Sequence, residues 1–279
     1  MIKKICIPVD GSANGNIALD YGIYLARLID ASLQGIHVID AGLIQAPLIT
    51  DITCSGGIGA CDGIYEIVET SLQKKAELII NDFRERCGKA GISAEIKKAT
   101  GIVDESIIEQ AENSDLILMA KKGEHFHLPE GGILGTVAEA VIRKSGKPVM
   151  VTPEKFLEIE SMGMAYDGSE PAKKALHLCL ALAVQAAWPI TALIVTADSA
   201  QAARLTSQIE EATEDKAADM DFVILQGRED EKIIEFIKQG SVELMVMGAY
   251  GHNRLRELLL GSTTSYIISK SPIPVLLTR

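Results

Sequence analysis

Aromatic residues are scarce, 4% of 279 with a single tryptophan, so any core must be aliphatic. Positive charge is also short: 27 Lys and Arg against 38 Asp and Glu leave a net charge of −11. That excludes sequence-independent binding to nucleic acid, which needs clustered basic residues, and an anionic membrane surface as the main partner. No apolar run reaches membrane-spanning length. The nearest, Ala175–Trp188, contains His177 and Gln185 and reads as a buried helix. No secretory signal is expected ahead of "MIKKICIPVD". The five cysteines (Cys6, Cys54, Cys61, Cys87, Cys179) are odd in number and scattered. They suit a reducing cytoplasm better than a disulfide framework. Catalytic patterns are missing too: no Ser-His-Asp set, paired carboxylate or metal triad emerges, and no Lys-Ser/Thr follows the glycines as in a Walker A loop.

What the chain does have is a second copy of itself. It is 47% hydrophobic and long enough for two ordinary domains. "ICIPVDGSANG" (Ile5–Gly15) matches "MGMAYDGSEPA" (Met162–Ala172) at an offset of 157, and Val38 pairs with Val195 at the same offset. Further on, "TGIVDESIIEQA" from Thr100 matches "QGREDEKIIEFI" from Gln226 at 126, and Pro148 matches Pro274. The fall from 157 to 126 gives the first copy 31 extra residues between Val38 and Thr100, with residues 41–63 the obvious surplus. Domains are expected over 1–155 and 156–279. Within each copy, apolar strands alternate with helices, which predicts an α/β fold: a five-stranded parallel sheet covered on both faces. Ser12 and Ser169 are placed to cap the first helix of each copy, with Pro171 in the first turn. Pro8 fits a central strand only at its end, where the ladder is finishing.

The second copy then offers "MGAYGHNRLRELLLGSTTS". In an open parallel sheet, ligands bind beyond the carboxyl ends of the strands where chain order reverses. Asp167, Val195 and Gly248 would end the first, second and fourth strands and share that rim. Gly248 and Gly251 would let backbone approach a bulky ligand. Gly261-Ser262 opens the last helix, whose free N–H groups favour an anion such as phosphate. A carboxylate-bearing apolar end and a phosphate end together describe a nucleoside phosphate.

The spacing Gly248-x2-Gly251-x9-Gly261-Ser262, with the upstream Asp-Gly-Ser and the duplication, resembles the ATP-binding branch of the universal stress protein family in tandem form. The resemblance implies a Rossmann-like sheet and an ATP site. Asp167 and Val195 would contact the adenosine end, and Gly248, Gly251, Gly261, Ser262 and Thr263 the ribose and phosphates, with Mg2+ or Mn2+ on the phosphates. The first copy departs from this pattern. Ala120 replaces the first glycine, and eleven residues rather than nine separate Gly123 from Gly135-Thr136. Asp10 and Val38 are retained, so Asp10, Val38, Gly123, Gly135 and Thr136 form a weaker candidate site.

Plainer readings stand beside these. Asp10 and Asp167 could serve only their turns, since Asp-Gly-Ser is good turn chemistry anywhere. His125 and His127 form an H-x-H pair that can ligate zinc, although a solvated loop is favoured. Cys54 and Cys61 suit neither zinc nor C-x-x-C redox spacing; a reversible disulfide or sensor thiol is the remaining use. Lys121, Lys122, Arg254 and Arg256 could neutralise phosphate charge, and His252 could touch it. The functional expectation is a nucleotide-binding regulatory protein of the stress-response type, at most a weak ATPase. An ATP-cleaving or nucleotidyl-transferring enzyme, and a scaffold with idle sites, are the alternatives. The last strands, "KPVMVT" and "IPVLLT", would be exposed sheet edges unless paired. They are expected to join the copies as an intramolecular pseudo-dimer, with a homodimer left open.

Overall fold

The computed structural model describes residues 1–44, 61–123, 134–214, 219–249 and 260–279. The first half runs β1 (Lys4–Pro8), α1 (Ala13–Ile29), β2 (Ser32–Asp40), α2 (Cys61–Ala90), β3 (Ala94–Gly101), α3 (Val103–Gln110), β4 (Leu116–Ala120), α4 (Thr136–Lys144) and β5 (Val149–Thr152). The second half repeats it: β6 (Met162–Ala165), α5 (Glu170–Ala186), β7 (Ile190–Val195), α6 (Ser199–Thr213), β8 (Met220–Leu225), α7 (Glu229–Lys238), β9 (Leu244–Gly248), α8 (Ser262–Lys270) and β10 (Val275–Thr278).

Local chemistry sets the helix ends in the same way twice. The Ser12 hydroxyl accepts from Gly15 N at 2.9 Å, and the Ser169 hydroxyl from Ala172 N at 3.3 Å, satisfying N–H groups the helix itself cannot. Each helix stops on a left-handed residue at the same repeat position, Asp30 (φ 53°) and Ala187 (φ 56°). Gly11 and Gly168, in the turns before these helices, take φ of 78° and 79°, a conformation that glycine adopts without steric cost.

The ten strands form one sheet in the order β3-β2-β1-β4-β5-β10-β9-β6-β7-β8. Neighbours within each half are parallel; β5 and β10 alone pair antiparallel, with Val275 opposite Val151 and Leu277 opposite Val149. All four residues of each seam strand are buried, and each buried Val, Leu or Met side chain contributes about 1.5–3 kcal/mol relative to exposure. The strands of one half therefore run opposite to those of the other, and their carboxyl-terminal rims lie at opposite ends of the sheet. Pro8 is the last residue of β1, beyond the residues Ile5 and Cys6 that pair with β4, so its missing N–H costs the ladder little.

Two aliphatic cores cover the two faces. One lies under α1, α2, α5 and α6 with Leu25, Phe83, Leu180 and Leu205; the other lies under α3, α4, α7 and α8 with Ile107, Val141, Ile237 and Ile267. Both cores run continuously across the halves. Polar contacts reinforce the join. The Gln185 amide exchanges hydrogen bonds with the Ile2 backbone, and the hydroxyl of Tyr24 both donates to Ile159 O and accepts from Ile159 N. Among the described residues, no helix is long and apolar enough to cross a membrane.

Two expectations follow from this packing. A Cβ on Gly248 would lie 2.8 Å from Pro171 Cβ and 2.9 Å from Ala172 N, so Gly248→Val should destabilise the chain by about 1–3 kcal/mol, the usual cost of overpacking, measured by denaturant unfolding. Burial pushes the Cys6 thiol up to about 12, against Lys4 and Lys97, and the Cys179 thiol also to about 12. Burial likewise pushes Cys87 to about 11, against Arg86. Thiolate is the reactive form, so iodoacetamide at pH 8 should label these three only after unfolding, as read by peptide mass spectrometry.

Candidate functional site

In each half the first strand lies between the second and the fourth, β1 between β2 and β4 and β6 between β7 and β9. The chain order reverses there, which is where open parallel sheets bind ligands. A cavity of about 450 Å³ occupies this place in the first half, within the range of small-molecule sites. Asp10, Val38, Gly123, Gly135 and Thr136 all line it, together with Ala120. The structure therefore gathers these five candidates around one space. In the second half, Asp167, Val195 and Gly248 lie at or just past the ends of the adjacent strands β6, β7 and β9. Gly251 is outside the described residues, as are His252, Arg254 and Arg256. So are His125, His127 and Cys54; Cys61 is the first residue of α2.

The aspartates serve their turns with one oxygen. Asp10 Oδ1 accepts from Ser12 N and Asp167 Oδ1 from Ser169 N, both at 2.9 Å. Around Asp10 two glycines leave the room its carboxylate needs. A Cβ on Gly15 would lie 2.3 Å from Oδ1, and one on Gly123 would lie 2.8 Å from Oδ2. Gly123 thus brings the β4 exit loop against the Asp10 carboxylate at the cavity wall.

The glycines of the second half divide into two kinds. Gly248 is required by the fold, because the amino end of α5 packs on it. Gly261 is different: its φ is an ordinary −57°, and the nearest described atom to an added Cβ is Thr264 Oγ1 at 3.9 Å. Nothing among the described residues demands a glycine there. The Gly248 position in the first half is Ala120, and the Ala172 position is Gly15. Gly15 answers to a different neighbour, since a Cβ there would meet Asp10 and Ser12.

The helices that open beside each rim begin without a side-chain cap. Gly135 precedes α4 and Gly261 precedes α8; neither cap residue has a side chain to bond the helix start, and among the described residues no other side chain does so. Their first N–H groups and the positive end of the helix dipole are available to an anion. Gly135 N donates to Lys121 O at 2.8 Å, holding the α4 start against the β4 exit. Thr264 Oγ1 donates to Ala249 O at 3.0 Å and does the same for α8 and β9. Thr136, Gly261 and Ser262 are exposed and Thr263 half-buried.

Lys121 and Lys122, which could neutralise phosphate charge or serve as solvated charges, lie between the wall residues Ala120 and Gly123, and Lys75 from α2 also lines the cavity. Burial holds the Lys121 ammonium below the usual lysine range, with Lys122 adding to this and Glu154 opposing. His37 also lines the cavity and was not foreseen, since its repeat counterpart is Ile194 and the strand reads as uniformly apolar. Among the described residues, no group of three His, Cys, Asp or Glu could hold a metal ion.

Comparison with known proteins agrees with this architecture. Universal stress protein Slr1230 of Synechocystis is 28% identical over 288 residues, covering 100% of both chains. Universal stress protein MJ0577 of Methanocaldococcus jannaschii is 32% identical over 161 residues, 56% of this chain and 97% of that protein. The crystal structure of a universal stress protein from Archaeoglobus fulgidus superposes with a TM-score of 0.77 at 21% identity, over 99% of this chain and 98% of that one, which shows the shared fold. The universal stress protein family profile matches residues 61–153 and again 158–279. This chain belongs to the universal stress protein family, as two tandem copies of its domain.

Proposed function

We propose that the chain is an ATP-binding regulatory protein, divided at about residue 155, with one nucleotide site per half. The observation that carries this reading is the first-half cavity of about 450 Å³, with the Asp10 carboxylate on its wall and the uncapped start of α4 opening onto it. The adenosine would lie on the apolar wall by Val38, with Asp10 accepting from the ribose hydroxyls. The triphosphate would run to the N–H groups of Thr136 and Val137. In the second half, Asp167, Val195, Gly261, Ser262 and Thr263 would do the same. Gly261 supports this, since no described atom crowds a Cβ added there and a close-lying ligand would.

With a net charge of −11, the overall field of the protein repels a triphosphate. Local donors must overcome that field: the helix start, Lys75, and a magnesium or manganese ion brought by the phosphates. The wall residues include no metal cage, so such an ion would keep mainly phosphate and water ligands, as magnesium at nucleotide sites does. Regulation would follow from mass action. A ligand that binds only the folded, closed arrangement stabilises it by about 2.7 kcal/mol at a hundred times its Kd.

Native mass spectrometry of the full chain with Mg-ATP tests this. The wild type should bind two nucleotides, Gly261→Val one, and Gly261→Val with Gly123→Val none. Gly261→Val should itself unfold close to wild type, because no described atom meets its Cβ. No binding by the wild type at millimolar ATP would overturn the reading. Rapid steady-state ATP turnover would replace it with an enzymatic one.

A further inference from the structure

The cavity of the first half holds one polar side chain that the fold leaves half used. His37, on β2, is only 8% exposed yet lines the cavity. Its Nδ1 lies 2.7 Å from Val9 O. A carbonyl oxygen can only accept, so Nδ1 carries the proton, and in the neutral ring Nε2 is then a bare acceptor. Among the described residues this is the ring's one hydrogen bond, and Nε2 is not among the side-chain atoms sealed in the interior without a partner. Water can pair with Nε2 while the cavity is open, so a ligand that displaces that water must bring a donor in its place or leave the acceptor desolvated. Asp10 and Asp40 line the same space, which makes this end of it rich in acceptors.

We infer that His37 selects the base: its Nε2 accepts a hydrogen bond from the exocyclic amine of a 6-aminopurine and so favours adenine over a 6-oxopurine. The inference rests on the nucleotide reading of this cavity. A 6-oxo oxygen brought to Nε2 would set acceptor against acceptor and leave both unpaired and desolvated. A site built to pair a polar group discriminates more steeply than one that only adds apolar contact. The second half carries Ile194 at this position, fully buried and without an acceptor. The two halves therefore differ in base choice, and the first is the stringent one.

Calorimetric titration of the full chain carrying Gly261→Val, with Mg-ATP and with Mg-ITP, tests this in the first-half cavity alone. ATP should bind about tenfold tighter than ITP or more, a difference of about 1.4 kcal/mol. His37→Asn can keep a donor to Val9 O but ends short of Nε2; His37→Ile installs the second-half residue. Both should bring the two affinities within about twofold, and thermal unfolding reports whether each variant is folded. Equal affinities in the parent overturn the inference without any variant. So does a preference that survives both substitutions, or an equal weakening of ATP and ITP, which would place His37 on the ribose. If the parent binds neither nucleotide, the nucleotide reading of the cavity fails and the inference falls with it.

Discussion

The antiparallel seam between Val149–Val151 and Val275–Leu277 is the constraint on which the rest of the molecule depends. Each half ends in a short strand buried along its whole length. Alone, either strand would present an apolar edge with unpaired backbone groups to water. Pairing the two edges removes both liabilities and commits the halves to opposite strand directions. The rims where ligands can bind are thereby held at opposite ends of one rigid sheet. The two rims therefore do not merge into one site. Besides the sheet, the halves touch through α1 and α5, which pack against each other, and through cores that both halves share.

Duplication also explains why the two rims can diverge. The parts that hold the fold are kept twice: the Asp-Gly-Ser turn, the serine cap, the left-handed helix stop and the uncapped start of the last helix. The parts that would meet a ligand differ. His37 stands against Ile194, Ala120 against Gly248, and the loop from Gly123 to Gly135 is longer than that from Gly251 to Gly261. Structural positions are constrained by packing that both halves share, whereas wall positions are free to specialise.

The fold was legible in the sequence because its signals are local and repeated. Apolar strand runs, Ser12 and Ser169, and the paired offsets placed the elements and the sheet class, and the terminal position of Pro8 followed from the chemistry of proline. The site was legible only in part. The glycine spacing drew attention to the second half, yet Gly248 is accounted for by the helix resting on it, a contact between residues 77 apart that no motif reveals. The approach of Gly123 to the Asp10 carboxylate is equally non-local. So is the cavity that gathers Asp10, Val38 and Thr136. His37 escaped notice because a histidine within an apolar strand carries no signal until its ring nitrogens are assigned partners.

The function proposed for this fold requires that the β1–β4 rim take a nucleotide, adenosine toward Val38 and phosphates toward α4. A crystal structure of the chain grown with Mg-ATP decides this. The expected result is density in the first-half cavity with adenosine against Val38 and phosphates at the start of α4. A cavity closed by the protein's own side chains, or a nucleotide bound only elsewhere, would contradict it.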